Sequence, residues 1–594
     1  MMPPICLLVP ARAARVAMFC ALVLSHGPSA AQSLPVERNP PLEQPPSTGG
    51  LTIERPAPAS GDPTPLGVLL RSIHLIGRDE AVSPGSGKEA VDIGRIGIAR
   101  TEGATVPADR LRATLSGFVG QPLSMALIAD LQAAIADVYR DSGRPFVSIS
   151  VPPQEITAGA LTLRVIEFGL GRISIQGEDG GRGDALAARI RAVEGEPIEA
   201  ARIDEDLRWL NRFPYRQVQG IFSPGDGLGR SDLTLELTAR TPWQVYAGYS
   251  NTGSPETDRN RIFVGAGFGL PWLNDAYGSW QTTGSRNLFG NADHMFPDDD
   301  DRPSYLSHSA RFVLPVFARQ AIEISPNFVA TRQSRDFFTS DNNFFELPLY
   351  YRSALSNFLP GHHLGDFLAG VEVKTLDRRV SFEGFGLGRS RADVFQLGMG
   401  WDHAWSDETG STTLSVMAKI NPGGVMAGND DAGWTAYSNG RVRQVDYAYV
   451  TAAASRLTGL GGGFTLTSEL LLQLAGQPLP DTEQMALGGL YGVRGYDLGS
   501  GVADRGVILR NDVRPPGFAL LQDDGLQPFA FLDGGIGQDI GGHRKPRLAG
   551  TGFGLDYRLA GAFTMNMTAA VALAREGNRQ PGDVDLKVRL FASY

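Results

Sequence analysis

Two charged residues in the C-terminal half of this 594-residue chain have surroundings that could support a specific interaction. Arg494 lies within residues 492–496 (Gly-Val-Arg-Gly-Tyr), where the flanking glycines permit close backbone approach. Asp533 follows Phe529 and Phe531 at alternate positions, so its charge is in register with aromatic side chains. A carboxylate on a lipid-facing surface is costly, so we expect Asp533 to face a polar interior and to have a cationic partner. The alternative is an isolated polar residue in a wet pore, and a mobile loop that happens to contain Arg494.

Motifs that could support enzymatic or metal chemistry are incomplete. Residues 85–88 (Gly-Ser-Gly-Lys) resemble the end of a phosphate-binding loop, but Val82 and Glu89 stand where that loop needs a glycine and a hydroxyl. His362-His363 has no paired metal-ligand pattern, and the acidic run Asp298–Asp301 is better explained as a solvated loop than as a cation site. The sequence therefore predicts no catalytic residue, no metal site and no cofactor.

Composition and targeting signals narrow the class of protein. The formal net charge of −10 argues against a nucleic-acid partner, because phosphate binding requires a basic surface. The two cysteines, Cys6 and Cys20, lie in residues 1–31. In this segment arginines are followed by a short apolar run and by small residues before the expected cleavage site, which predicts a secretory signal peptide. The proline-rich residues 32–66 predict an extended linker. No later apolar segment reaches about 18 residues, so the exported protein is either soluble or a membrane β-barrel.

The chain next contains the same structural unit twice, at residues 67–168 and 169–240. Each copy is predicted to have a strand, two helical stretches and two closing strands. In the first copy, Ser124 is the predicted N-cap of a helix that stops at Gly143, and a glycine- and charge-rich insert occupies residues 78–106. In the second copy, helices are predicted near 183–194 and 200–212. Such units have an open sheet edge, which can bind an extended peptide.

From residue 241 to 594, helical patterns are absent and period-two alternation dominates. Strands of about ten residues with apolar side chains on one face and polar or small ones on the other predict a transmembrane β-barrel, whereas the alternative is a soluble sandwich with one wet face. Odd-numbered connections are mostly long and even-numbered ones mostly short, which predicts outer loops and periplasmic turns, with the repeated units on the periplasmic side. The sixteen predicted strands are 243–250, 261–270, 276–285, 304–314, 320–331, 346–356, 366–377, 391–405, 411–419, 443–456, 463–474, 503–513, 527–537, 547–558, 561–574 and 584–594.

Nearly all of the mature chain resembles a known family, the outer-membrane transporters of two-partner secretion systems. This is the TpsB, or haemolysin/haemagglutinin secretion-activation, family, and it belongs to the POTRA-barrel superfamily. The motif of its sixth outer loop, here within residues 475–502, is matched by Val493, Arg494, Gly495 and Tyr496. Its Phe-x-Asp-x-Gly motif on the barrel wall is matched by Phe531, Asp533 and Gly535. The two repeated units correspond to its polypeptide-transport-associated (POTRA) domains.

The resemblance implies a membrane all-β fold: a 16-stranded antiparallel outer-membrane β-barrel preceded by two periplasmic α+β POTRA domains. It also implies that residues 475–502 fold back into the lumen and that Arg494 forms a salt bridge with Asp533. Tyr594 stands where phenylalanine is commoner, and its aromatic ring is expected to serve as the C-terminal signal for the barrel-assembly machinery. The helix that plugs the barrel in this family is not evident in residues 32–66.

The implied function is protein secretion without ATP across the outer membrane of a Gram-negative bacterium. The POTRA units would recognise an unfolded exoprotein, of the kind that folds into a β-helical adhesin or cytolysin, and the lipid-embedded barrel would pass it outward. No enzymatic activity and no nucleic-acid partner are expected. The alternative function is an outer-membrane insertase that assembles other barrels, although two POTRA units rather than more favour secretion. A solute porin would leave the POTRA units unexplained.

Overall fold

The computed structural model describes residues 61–594 except 83–88, 95, 97–105, 178–185, 214, 240, 289–301, 336, 408 and 522. The predicted signal peptide, most of the predicted linker, residues 85–88 and the acidic run Asp298–Asp301 therefore lie outside the described residues. In the described part of the chain, no helix has both the length and the apolar character needed to cross a membrane.

The first repeated unit is a four-stranded sheet covered by two helices. Its elements are β1 (Ser72–Ile76), β2 (Val91–Ile93), α1 (Ala108–Ser116), α2 (Met125–Asp141), β3 (Val147–Ser150) and β4 (Ala160–Glu167). The sheet order is β2-β1-β4-β3, with β1 parallel to both neighbours and β3 antiparallel to β4. The predicted N-cap is confirmed, since the Ser124 hydroxyl accepts a hydrogen bond from the Leu127 backbone N–H at 3.1 Å. The insert at residues 78–106 supplies the edge strand β2, which the sequence did not predict.

The second repeated unit has a three-stranded sheet in the order β5-β7-β6. Its elements are β5 (Gly169–Gly177), α3 (Ala200–Leu210), β6 (Arg216–Pro224) and β7 (Arg230–Ala239). The helix predicted at 200–212 is confirmed as α3. The helix predicted near 183–194 falls partly outside the described residues, and in the described part helical residues end at Ala187. The units are packed together at Phe146 and Phe222, whose ring centroids lie 4.2 Å apart.

A closed antiparallel barrel of sixteen strands follows, as predicted. β12 and β13 are two halves of one strand that is interrupted at residues 325–326, since β11 and β14 each pair with both halves. β20 and β21 form a separate two-stranded ribbon. The elements are β8 (Trp243–Ser250), β9 (Arg261–Leu270), β10 (Ala276–Gly284), β11 (Tyr305–Phe317), β12 (Gln320–Ile324), β13 (Asn327–Arg335), β14 (Phe338–Ala354), β15 (Asp366–Phe382), β16 (Phe385–Asp407), β17 (Gly410–Asn421), α4 (Asp431–Tyr437), β18 (Tyr447–Gly461), β19 (Phe464–Ala475), β20 (Met485–Ala486), β21 (Val502–Ala503), β22 (Arg505–Arg514), β23 (Asp524–Gln538), β24 (Arg547–Leu559), β25 (Phe563–Ala572) and β26 (Val584–Ser593).

The alternation along each strand reflects two different solvents, lipid outside the barrel and water or packed polar groups inside. On β26, Leu586 is 51% exposed on the outer face, whereas the inward-facing Asp585 and Lys587 are 5% and 8% exposed. β26 pairs with β8 and closes the barrel, so each barrel strand has a neighbour on both sides. This pairing satisfies backbone N–H and C=O groups that lipid cannot hydrogen-bond.

The connections follow the predicted asymmetry with two exceptions. Residues 332–345 and 378–390 were expected to form longer outer loops, but β13 continues to Arg335 and β14 begins at Phe338, and only residues 383–384 separate β15 from β16. The predicted strand ends were wrong here because β14, β15 and β16 contain 17, 17 and 23 residues and continue past the membrane. Only about ten residues are needed to cross the bilayer, so the apolar alternation that marks a strand stops before the strand does.

The prediction that helices are absent after residue 241 was also wrong, because α4 lies in the fifth outer loop (residues 422–446). Its Trp434 is fully buried and packs with Tyr437 against inner-wall residues such as Phe344 and Val394. The Trp434 indole N–H donates a hydrogen bond to the backbone carbonyl of Asp393 at 2.8 Å. The fifth outer loop therefore packs inside the outer mouth of the barrel.

We expect the purified protein to be heat-modifiable in detergent gels, with a faster band before boiling than after it. A closed barrel resists detergent because its backbone groups are paired internally. Circular dichroism of the membrane extract should be dominated by strand signal. Recovery of the mature protein in the soluble periplasmic fraction would contradict the assignment.

Candidate functional site in the barrel lumen

The sixth outer loop (residues 476–504) turns back into the barrel. The β20–β21 ribbon forms its base, and the Val493 backbone N–H donates to the Leu487 carbonyl at 2.7 Å. Gly489 and Gly495 have φ values of 99° and 98°, in a region that L-residues rarely adopt, which explains the glycines at these two positions. The folded tip presents Arg494 to the inner barrel wall.

Arg494 and Asp533 are in direct contact. Arg494 Nε lies 2.7 Å from Asp533 Oδ2, and Arg494 Nη2 lies 2.7 Å from Asp533 Oδ1, so the guanidinium and carboxylate meet at two points. The backbone N–H of Arg494 also donates to Asp533 Oδ2, at 3.1 Å. The two side chains are 4% and 0% exposed. The cation expected beside Asp533 is thus Arg494.

The other two residues of the wall motif shape the surface around this salt bridge. The Arg494 guanidinium carbon lies 3.7 Å from the Phe531 ring centroid, a cation–π arrangement. A Cβ atom at Gly535 would come within 2.9 Å of Val493 Cγ2, and one at Gly550 on β24 would lie 2.0 Å from the carbonyl oxygen of Arg494. The missing side chains therefore make room for the loop tip.

Tyr496 and Tyr594 have different surroundings. Tyr496 is fully buried, and its hydroxyl lies 2.9 Å from the Ala549 carbonyl and 2.7 Å from the Ala574 carbonyl, so it links the loop tip to the wall beyond β23. Tyr594 is 87% exposed. Its backbone exchanges hydrogen bonds of 2.9 and 3.0 Å with Val245, and its ring centroid lies 5.8 Å from that of Trp243. Tyr594 therefore lies on the outer surface, at the closure of the barrel.

Two acidic residues at the site were not identified from the sequence. Asp512 on β22 accepts a hydrogen bond from Arg494 Nη2 at 2.6 Å. The apolar-out alternation of residues 507–513 could have indicated that Asp512 faces inward. Asp504, fully buried at the end of the sixth outer loop, lies 2.6 Å from Arg441 Nη2 of the fifth outer loop. It connects these two loops inside the barrel.

The second POTRA-like unit lies against the periplasmic mouth of the barrel. Trp209 and Phe213, at and just after the end of α3, pack on Tyr277, Val313 and other inward-facing residues. Around this apolar contact, arginines of the unit meet aspartates of the barrel. The ion pairs are Arg189–Asp275 at 2.8 Å, Arg216–Asp275 at 2.7 Å and Arg212–Asp366.

His363, which the sequence assigned to a loop without metal-ligand character, contributes to this junction. Its Nδ1 lies 2.8 Å from Glu205 Oε2 on α3, and Arg191 Nη2 lies 2.5 Å from the same oxygen. Burial opposes ionisation of Glu205, but hydrogen bonds from His363 and Arg191 outweigh it and lower the pKa of Glu205 to about 2. Glu205 is therefore charged at neutral pH and supports the junction.

Two cavities flank the loops inside the barrel. One, of about 710 Å³, lies at the periplasmic end and is lined by Arg208 and Trp209 of α3, by Asp402 and Arg510 of the barrel, and by Tyr491 of the sixth outer loop. The other, of about 1010 Å³, lies at the outer end and includes Asp481 and Leu498 of the same loop. The sixth outer loop thus contributes to both cavities.

Comparison with known proteins identifies two parts of the chain. The sequence model described as haemolysin secretion/activation protein ShlB/FhaC/HecB matches residues 365–557, and the model of the ShlB-type POTRA domain matches residues 97–167. The first match contains both motifs of the lumen site.

Relatives with similar sequence include the heme/hemopexin transporter protein HuxB of Haemophilus influenzae, which is 21% identical over 79% of this chain and 81% of its own. The outer membrane transporter CdiB of Dickeya dadantii is 22% identical over 71% of this chain and 72% of its own. Among solved structures, CdiB from Escherichia coli superposes with a TM-score of 0.62 at 18% identity, covering 93% of this chain and 94% of that one. The structural likeness supports the shared fold. The matched sequence models and the relatives show that the chain is an outer-membrane transporter of the haemolysin secretion/activation (TpsB) family.

Proposed function

We propose that this transporter receives an unfolded exoprotein on its POTRA units, residues 67–168 and 169–240, and passes it through the barrel in extended form. The observation that carries the proposal is the position of α3, which lies across the periplasmic mouth and lines a cavity of about 710 Å³ together with the barrel wall. A chain bound to the second unit is therefore next to the lumen. The sequence offers no nucleotide-binding motif, so folding of the exoprotein outside the cell would supply direction. No catalytic step is proposed.

The chemistry of β6 supports recognition by strand addition. The backbone N–H of Val218 donates to the Asn211 side chain at 2.6 Å, and its carbonyl accepts from the same side chain at 2.8 Å, so these groups point away from β7. Because strand residues alternate, the backbone groups of Gly220 and Phe222 point in the same outward direction. Ile221 beside them is 43% exposed. Residues 219–223 thus offer an edge to which an extended peptide can add.

Crosslinking tests this route, since the mature chain predicted by signal-peptide removal contains no cysteine. Ile221→Cys should crosslink to its cognate exoprotein when export is stalled. Arg172→Cys is the matched control, because Arg172 is an exposed residue of β5 on the opposite edge of the same sheet. Equal crosslinking at both positions, or crosslinking only at Arg172→Cys, would exclude β6 as the docking strand.

The exoprotein is proposed to be of the TpsA type, a β-helical adhesin or cytolysin. The named relatives are a heme/hemopexin transporter and a CdiB transporter, so the family serves more than one exoprotein. Insertion of this barrel into the outer-membrane lipid is proposed to require the barrel-assembly machinery, with Tyr594 in the recognition signal. The alternative insertase function has less support, since the matched family model is that of secretion proteins. A neighbouring gene for a large, repeat-rich exoprotein would favour secretion.

A further inference from the structure

The sixth outer loop has a second buried charged contact, far from Arg494. Glu483, on the limb that enters the barrel, is 4% exposed, and its partner Lys374 on β15 is 1% exposed. Lys374 Nζ donates to Glu483 Oε1 at 2.5 Å. The other carboxylate oxygen of Glu483 accepts hydrogen bonds from Tyr449 at 2.5 Å and from Gln396 at 3.1 Å. The loop carboxylate is thus surrounded by donors from β15, β16 and β18.

The wall around Lys374 is itself acidic. Lys374 Nζ lies 3.1 Å from Glu372 and 3.8 Å from Glu346, and Lys419 Nζ lies 2.7 Å from Glu372. The cluster of Glu346, Glu372, Lys374, Lys419 and Glu483 therefore contains three carboxylates and two ammonium groups. Lys374 lies between the carboxylates of the wall and that of the loop. Without it, Glu483 would face like charges in a place with little water, which is strongly unfavourable.

The two contacts hold opposite sides of the loop. Arg494 is bound by β22 and β23, whereas Glu483 is bound by β15, β16 and β18, of which β15 lies six strands from β23 around the barrel. A loop fixed at one wall only could pivot about that contact. A second fixed point across the lumen removes this freedom and keeps the loop between the two cavities.

We propose that Glu483 and Lys374 are positioning residues that fix the sixth outer loop in the resting, closed pore. The inference rests on the proposed function, since it concerns the same pore, but its test does not use an exoprotein. The Glu483–Lys374 contact must break or move if the loop is displaced to admit a chain. The contact therefore sets how often the pore opens.

Single-channel recordings of the purified full-length mature protein in planar lipid bilayers in potassium chloride measure this directly. In Lys374→Gln and Glu483→Gln, the fraction of time spent in the conducting state should rise about tenfold, as expected when a charge-assisted hydrogen bond is lost. Glu483→Gln leaves two carboxylates with two ammonium groups, so this variant should assemble even if Lys374→Gln does not. The exchange Lys374→Glu with Glu483→Lys should return conduction toward the wild-type level.

Lys545→Gln is the matched control, because it also removes a lysine charge, and Lys545 is exposed on the connection between β23 and β24, outside the cluster. Its conductance should stay near the wild-type level. The proposal is overturned if Lys545→Gln conducts as much as Glu483→Gln, or if Lys374→Gln and Glu483→Gln leave the conductance unchanged. Failure of the wild-type protein to export an exoprotein would contradict the proposed function and leave these recordings unaffected.

Discussion

Arg494→Ala and Asp533→Ala are each expected to reduce export of the exoprotein by at least about a hundredfold, since losing one partner of a buried ion pair costs about 3–5 kcal/mol. The contact consists of two hydrogen bonds between the guanidinium and the carboxylate and is almost completely buried. Either substitution therefore leaves a charged group that water cannot reach. The double variant should be little worse than the more damaging single one, because both substitutions remove the same interaction. Secreted exoprotein in the culture medium, normalised to assembled barrel, is the measurement.

The structure also predicts which of the two single variants is the more damaging. Arg494 also binds Asp512 at 2.6 Å, so Arg494→Ala leaves two carboxylates facing each other, whereas Asp533→Ala leaves Arg494 with one remaining partner. Arg494→Ala should therefore be the more damaging. Arg505→Ala is the control, since Arg505 on β22 is exposed and its guanidinium donates to the Gln538 side chain on the neighbouring strand, away from the salt bridge. Normal export in both single variants, or fully additive defects, would exclude the salt bridge as the functional contact.

A substitution on the barrel wall at Gly550 should displace the loop tip without removing a charge. A Cβ at Gly550 would lie 2.0 Å from the Arg494 carbonyl oxygen, so Gly550→Ala should push the tip from the wall and reduce export. Gly534→Ala is the matched control, because an added Cβ there meets no atom within 4 Å among the described residues. If the two alanine variants export equally well, close approach of residues 493–495 to the wall is not required.

The barrel could be predicted almost strand by strand because its two faces meet different solvents. Where lipid covers one face, as at Leu586 and Leu590 on β26, the alternation is strong and the strand limits are close to those observed. Where β16 continues beyond the membrane, both faces meet water and the signal disappears, so the predicted strand 391–405 was too short. The twofold sequence repeat likewise indicated the two sheets, but not the edge strand β2.

Contacts between residues far apart in the sequence could not be predicted unless both residues belonged to recognised motifs. Trp434 gives no helical periodicity over the seven residues of α4, and its burial depends on an inner wall built from other strands. His363 and Glu205 are 158 positions apart, and nothing in either local pattern indicates that they meet. Lys374 and Glu483 are 109 apart. Each charge alone is consistent with a polar lumen, and only the fold makes them partners.

Deletion of residues 67–240 is expected to abolish export while the barrel still assembles. The barrel closes through β8 and β26, and its ladder includes no strand from the two units. The contacts that deletion removes are at the periplasmic mouth, where Trp209 and Phe213 cover apolar wall residues and arginines pair with Asp275 and Asp366. Those aspartates would become solvated, so the barrel should lose some heat resistance but keep its gel shift.

A shorter deletion, of residues 67–168, distinguishes binding of the exoprotein by the first unit from its entry into the barrel. It retains β6 and α3, so the docking edge and the cover over the mouth remain, while the packing of Phe146 on Phe222 beside that edge is lost. We therefore expect export to fall strongly but to remain measurable, between the full-length protein and the larger deletion. Because the ion pairs with the barrel involve Arg189, Arg212 and Arg216, all of which the shorter variant keeps, it should retain the heat resistance that the larger deletion loses. Unchanged export after the larger deletion would show that the two units are not the receptor. Equal, complete loss in both variants would place the essential binding surface on the first unit rather than on β6.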